Sequence, residues 1–153
     1  MILREADVVN EADLLSAVAK ASFDFSVAPG YSSEGIQTFH NVIIPNRLVD
    51  RKDQHVWFVA ELDNQIVAVI EWRLAGHVKL FFTLPSHQGK GIGTQLFDFA
   101  LKTMQKRLPD TEKITVYASP NAETTYIRLG FVRTADPRIE SGMTVIPMAL
   151  VLD

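Results

Sequence analysis

The amino-acid sequence predicts an α+β fold, one central mixed and mostly antiparallel twisted sheet flanked by helices, formed as a single domain over residues 1–153. Three observations carry that reading. Between Gln54 and Thr83, β-rich runs are separated by the turn pairs Asp63-Asn64 and Ala75-Gly76, which makes three consecutive antiparallel strands. Two helical patterns precede that block, and a clear amphipathic helix follows it. After that helix, strands and one short helix alternate to the end.

Taken in order, Met1 to Arg4 forms a short strand. Asn10 or Asp13 caps a helix carrying Leu14, Leu15, Val18, Ala21, Phe23 and Phe25, and Pro29-Gly30 ends it. A second helix starts at Ser32 or Ser33, carries Ile36, Phe39, Val42 and Ile43, and is interrupted by Pro45. The charged stretch Arg47 to Asp53 reads as a loop. Val56 to Glu61 and Gln65 to Arg73 make a hairpin, and His77 to Thr83 adds the third strand. From Gly91 to about Arg107, Ile92, Leu96, Phe97, Ala100, Leu101 and Met104 share one helical face. Lys113 to Ala118 is a strand, Ala122 to Arg128 a short helix stopped by Gly130, and Phe131 to Arg133 a brief strand. Ala135 to Gly142 reads as a polar loop. Met143 to Leu152 is the last strand, where Pro147 signals a bulge or an edge.

Composition excludes several classes of chemistry. Without cysteine the chain has no disulfide, thiolate metal site or cysteine nucleophile. A net charge of −3 gives no electrostatic reason to expect nucleic acid, which usually needs a basic face. No apolar run approaches the roughly 20 residues of a membrane span, and charge arrives too early in Met1-Ile2-Leu3-Arg4-Glu5 for a signal peptide. The expectation is a cytoplasmic protein with no membrane or nucleic-acid partner. The four histidines show no metal-ligand spacing with a carboxylate, so no metal is expected.

The chemistry concentrates at Leu80 to Leu96, where an apolar strand runs through Leu84-Pro85 into Gln88-Gly89-Lys90-Gly91-Ile92-Gly93-Thr94 and then a helix. Glycines let the backbone approach a ligand closely, and the helix aims unpaired N–H groups and its positive dipole end at the turn. That is an anion site. It lacks the lysine that a P-loop places after its last glycine, and its glycine spacing is not that of a dinucleotide fingerprint.

The pattern Gln-x-x-Gly-x-Gly resembles the GNAT N-acetyltransferase superfamily. So does Ser119-Pro120-Asn121-Ala122 followed by Tyr126-Ile127-Arg128-Leu129-Gly130-Phe131. With the two N-terminal helices and the order of strands, the resemblance covers nearly the whole chain. It implies direct transfer of acetyl from acetyl-CoA to an amine. Gly89, Lys90, Gly91, Ile92, Gly93 and Thr94 would hold the pyrophosphate. Gln88 would bind it through its backbone or simply lead out of the loop. Backbone around Phe82, Thr83 and Leu84 would hold the pantetheine arm and donate to the oxyanion. Asn121 would contact the CoA arm, cap the short helix, or do both. Tyr126 falls on the general-acid position, where a phenol with a pKa of about 10 keeps a proton to give to the departing thiolate. The competing reading makes Tyr126 a packing residue under Gly130.

An alkylamine with a pKa of about 10.4 is nearly all protonated at neutral pH, so a base must take its proton, directly or through water. Glu71, in Val69-Ile70-Glu71-Trp72, is one candidate, since apolar neighbours raise a carboxylate pKa. Alternation puts it on a face with Arg73, and an exposed pair with Arg73 is the alternative. His77 is the other candidate base. The acceptor pocket falls to Phe23–Arg51 and the Thr134–Gly142 loop, with Phe25, Tyr31 and Glu71 as substrate contacts. Phe39 and His40 are further liners; Phe25 and Phe39 equally suit the core. Asp24, Glu34 and Glu71 would attract a cationic amine, whether on a small molecule or a peptide. The acceptor is unassigned, and a homodimer stays open as an assembly. A non-catalytic acyl-CoA-binding domain of the same fold is the alternative; it would need the glycine turn but neither Tyr126 nor a base.

Overall fold

A computed structural model describes residues 1–153. The chain runs β1 (Ile2–Glu5), α1 (Val8–Ser26), α2 (Ser33–Val42), α3 (Pro45–Asp50), β2 (His55–Leu62), β3 (Gln65–Arg73), β4 (His77–Thr83) and α4 (Ile92–Arg107). It continues through β5 (Lys113–Ala118), α5 (Glu123–Arg128), β6 (Val132–Arg133), β7 (Arg138–Glu140) and β8 (Met143–Val151). The sheet order is β1-β2-β3-β4-β5-β8-β6, with β7 also paired to β8. Every pairing is antiparallel except β4 with β5. The predicted α+β class and mixed sheet are what the chain forms. No helix is long and apolar enough to cross a membrane.

The sheet buries both faces. Strand β3 lies at its centre, buried from Ile66 through Trp72, as a strand covered on two sides must be. On one face, Ile92, Leu96, Phe97, Ala100 and Met104 of α4 pack with Phe58, Ile70, Trp72 and Val78. On the other, Leu15, Val18, Phe23, Phe39 and Leu48 from α1, α2 and α3 cover Trp57, Val59, Val69 and Leu80.

Several boundaries differ from expectation. Asp7, not Asn10 or Asp13, caps α1: its side chain accepts from the Asn10 N–H, and Glu11 accepts from the Asp7 N–H. Phe25 is 68% exposed, on the far side of that helix from Phe23. Pro45 does more than interrupt; it stands at N1 of α3, where its missing N–H is no loss, so the stretch read as a loop is largely helical. The polar loop after β6 contains β7, which forms a hairpin with β8. Pro147 sits within β8 opposite Tyr117, and the Thr134 N–H donates to its carbonyl.

Helix α2 is tied to the β7–β8 hairpin. Thr38 Oγ1 donates to the Ser141 carbonyl at 2.9 Å, and Tyr31 Oη donates to the Thr144 carbonyl at 2.8 Å. Gly35 permits the approach, since a Cβ there would lie 2.4 Å from the Gly142 oxygen. Alanine normally improves a helix interior by about 1 kcal/mol over glycine. Here Gly35→Ala is expected to destabilise instead, by about 1–3 kcal/mol as overpacking does. A lower urea midpoint with an unchanged slope checks this; a raised midpoint would show that the contact gives way easily.

Candidate active site

Strands β4 and β5 pair at only two positions, His77 with Thr115 and Val78 with Val116. Beyond Val78 they part. The register of β3 with β4 slips there, Trp72 facing Val78 and Glu71 facing Leu80, so Lys79 is an extra residue in β4. Such a bulge bends its strand and ends local pairing. The Leu84 N–H is spent on the Val67 carbonyl at 2.8 Å. Antiparallel alternation then points the Phe82 N–H toward β3 as well, and turns the N–H and C=O of Phe81 and Thr83 into the opening. The predicted donor window of Phe82 to Leu84 is thereby corrected to Phe81 and Thr83.

The opening belongs to a cavity of about 1000 Å³. At one end lie Gln88, Gly89, Gly91, Ile92, Gly93 and Thr94, leading into the N-terminus of α4. Gly89 and Gly91 have φ of +75° and +79°, a left-handed conformation that glycine adopts without strain. A Cβ on Gly89 would meet nothing within 4 Å, and one on Gly91 only the Gln95 amide at 3.9 Å. The space above this turn is therefore free for a ligand. Gly93 instead lets α4 close on β4, since its Cβ would stand 3.2 Å from Thr83 Oγ1. Gln88 Nε2 donates to the Thr83 carbonyl and to Ser26 Oγ, so its side chain ties the loop to β4 and α1. Leu84 and Lys90 do not line the cavity, Lys90 standing between the lining residues Gly89 and Gly91.

The other wall of the opening comes from the segment after β5. Ser119, Asn121, Ala122, Thr125, Tyr126 and Arg128 line it. Asn121 accepts a hydrogen bond from Ser119 Oγ at 2.7 Å and caps no helix. Tyr126 is 6% exposed. Its ring is held edge-on against Phe81 and Phe131, with centroids 6.1 and 5.3 Å away. Its hydroxyl has no protein partner, and burial raises its pKa, so the proton stays on.

The model of the acetyltransferase (GNAT) domain matches residues 27–152. The chain belongs to the GNAT acetyltransferase family. Among solved structures, a GCN5-related N-acetyltransferase from Rhodopseudomonas palustris superposes with a TM-score of 0.85 at 22% identity, covering 99% of this chain and 95% of that one. The PaiA N-acetyltransferase from Thermoplasma acidophilum, in complex with coenzyme A, gives 0.78 at 20% identity, covering 99% and 98%. A ribosomal-protein-alanine N-acetyltransferase from Brucella melitensis gives 0.69 at 16%, covering 99% and 100%. No curated protein sequence matches the chain. At these identities the neighbours speak for the fold.

Within this GNAT domain the far end of the cavity departs from expectation. Glu71 is fully buried and does not line the cavity. Arg51, just beyond α3, donates to both its oxygens at 2.6 and 2.8 Å and to the Val42 carbonyl at 2.9 Å. His55 Nδ1 lies 3.0 Å from Glu71 Oε2, off the line of a good hydrogen bond. Burial alone would raise the Glu71 pKa, but its net position is lowered by the Arg51 and His55 partners. With both oxygens taken by Arg51 and no face on the cavity, this carboxylate reaches neither the amine's proton nor the acceptor, which overturns both expectations for Glu71. Sequence alternation assigned its face correctly but missed that Arg51 covers it.

Phe25 points away and does not line the cavity, so its expected role as a substrate contact fails. Tyr31, Phe39 and His77 do line it. His77 Nδ1 is 2.7 Å from Thr115 Oγ1. Burial first, then the charges of Lys79, Arg73 and His55, push its pKa down to about 4. His40 lies outside the lining, paired with Asp24 at 2.6 Å. Lining residues missed in the sequence include the Phe81 backbone, Arg73, Lys79, Tyr117 and Arg128.

Removing one partner of a buried ion pair leaves the other charge uncompensated. Glu71→Gln is therefore expected to destabilise the fold by about 3 kcal/mol and to leave the pH–rate profile unmoved. Denaturant melts and pH–rate curves on the purified variant check this. Unchanged stability with a lost acidic limb would restore Glu71 as the base.

Proposed function

We propose that this chain is an acetyl-CoA-dependent N-acetyltransferase that moves acetyl directly from the CoA thioester to a primary amine. The observation that carries this reading is the parting of β4 from β5, which leaves backbone hydrogen-bonding groups free between a glycine-cradled helix N-terminus and a buried tyrosine. The chain fits CoA in two respects. The Gly89–Gly91 turn offers open space under N–H groups for a pyrophosphate, and the free edge of β4 matches the amides of an extended pantetheine arm, as strand addition does.

Acetyl-CoA supplies an activated acyl group. The Thr83 N–H holds the arm, its carbonyl being taken by Gln88, while the Phe81 N–H donates to the acyl oxygen as negative charge develops there. Tyr126, protonated because burial disfavours its phenolate, gives its proton to the leaving sulfur. His77, neutral at physiological pH, takes the amine's proton at Nε2, its Nδ1 being engaged by Thr115. The aromatic packing of Tyr126 excludes water from the sulfur without engaging the hydroxyl.

Two experiments test this. In a CoA-release assay, Tyr126→Phe is expected to lower kcat by about 100-fold, and His77→Gln by about 10-fold or more, as losing a proton donor or acceptor does. Calorimetry should find CoA affinity kept in both variants; wild-type turnover in Tyr126→Phe would support a domain that only binds acyl-CoA. Separately, Gly91→Val is expected to abolish measurable CoA binding in a protein that still gives the wild-type circular dichroism spectrum. Intact affinity would move the pyrophosphate elsewhere.

A further inference from the structure

The acceptor end of the cavity carries the opposite charge to the one that a cationic amine would select. Asp24 is bound by Lys20 and His40. Glu71 is enclosed by Arg51. The carboxylate of Glu140, which lines the cavity, is engaged by Arg138 at 2.7 Å. Glu34 is exposed and does not line the cavity. What remains free are cations. Arg73 and Lys79 both line the cavity, and neither side chain has a hydrogen-bond or ion-pair partner.

Their placement follows from the sheet. Arg73 ends β3 opposite His77, and Lys79 is the bulged residue of β4. Both lie close enough to depress the His77 pKa by charge; burial first, then Arg51 and Arg73 against an opposing pull from Glu71, lower that of Lys79. Two unpaired cations facing one cavity repel each other until an anion joins them. The CoA phosphates do not meet this need, because the glycine turn lies at the opposite end of β4. From Lys79 to Thr83 alone the strand spans about 13 Å at roughly 3.3 Å per residue.

We propose that the acceptor is an amine bearing an anionic group, a carboxylate or a phosphate, held by Lys79 and Arg73 while its amine reaches the end of the β4–β5 opening. The proposal rests on the acetyl-transfer reading and narrows it to a substrate class. Lysine and arginine are the side chains suited to such a group, arginine by its two-pronged donor geometry and lysine as a point charge. Phe23, Tyr31, Phe39 and Val145 leave an apolar wall beside them for the rest of the acceptor.

The test is a CoA-release panel on the full chain with three arms. One contains the proteinogenic amino acids, one the aminoalkyl phosphates of short chain length, and one the decarboxylated amines and diamines of matching carbon skeleton. Binding of the same compounds to the CoA-loaded protein is followed by calorimetry. Acid-bearing amines should exceed their acid-free counterparts by about tenfold or more in kcat/KM or affinity, and the better of the first two arms names the anion. Lys79→Met and Arg73→Met should raise KM for those acceptors while CoA affinity holds, and Lys79→Glu should shift preference toward diamines. The proposal is overturned if acid-free amines do equally well, if Lys79→Glu leaves the ratio unchanged, or if no acid-bearing amine binds while CoA does. Loss of the transferase reading would show differently, as a wild-type chain that fails to bind CoA.

Discussion

The site depends on one interrupted pairing. Two parallel strands that continued in register would use their facing N–H and C=O groups on each other. Here β4 and β5 share only His77–Thr115 and Val78–Val116. The extra residue at Lys79 bends β4 just where pairing stops. Everything the proposed chemistry uses follows from that divergence: the Phe81 backbone and the Thr83 N–H turned into the opening, the space that Tyr126 closes from the β5 side, and the α4 N-terminus at the mouth. The rest of the sheet tolerates the defect because β3, beside it, is buried on both faces and paired with β2 along nearly its whole length.

A second constraint is the disposal of charge. Placing a carboxylate at Glu71, within the central strand, requires a partner in the covering layer, since an unpaired buried charge costs several kcal/mol. Arg51 provides it, and its further bond to the Val42 carbonyl connects α2, α3 and the sheet. The same ion pair neutralises the Glu71 carboxylate, so that in the proposed acceptor site Arg73 and Lys79 set the sign of the potential. A residue that looks catalytic by position thus acts as a structural tie, and the proposed selectivity rests on two cations that attract no notice in the sequence.

Legibility varied with the range of the forces involved. Periodicity marked the three-strand block and α4, because alternation and the 3.6-residue repeat are local consequences of burial on a face. Capping was less readable: Asp7, Asn10 and Asp13 are all competent caps, and the choice fell on Asp7 through its exchange of hydrogen bonds with Asn10 and Glu11. Pro45 was ambiguous for a related reason, since proline both breaks a preceding helix and starts the next.

The sequence by itself determined the fold class and the glycine turn at the start of α4. Glycine spacing, a strand before it and an amphipathic helix after it are properties of contiguous residues, and local sterics suffice to interpret them. Resemblance to a family extended that turn to CoA and pointed to Tyr126. Only the tertiary structure decided which β4 groups face the opening, because hydrogen-bond polarity depends on register with β3 and on the slip at Lys79. It likewise decided that Glu71 is enclosed while Arg73 and Lys79 are free. A side chain's charge acts through whatever stands against it, and Arg51 reaches Glu71 from 20 residues away in the chain.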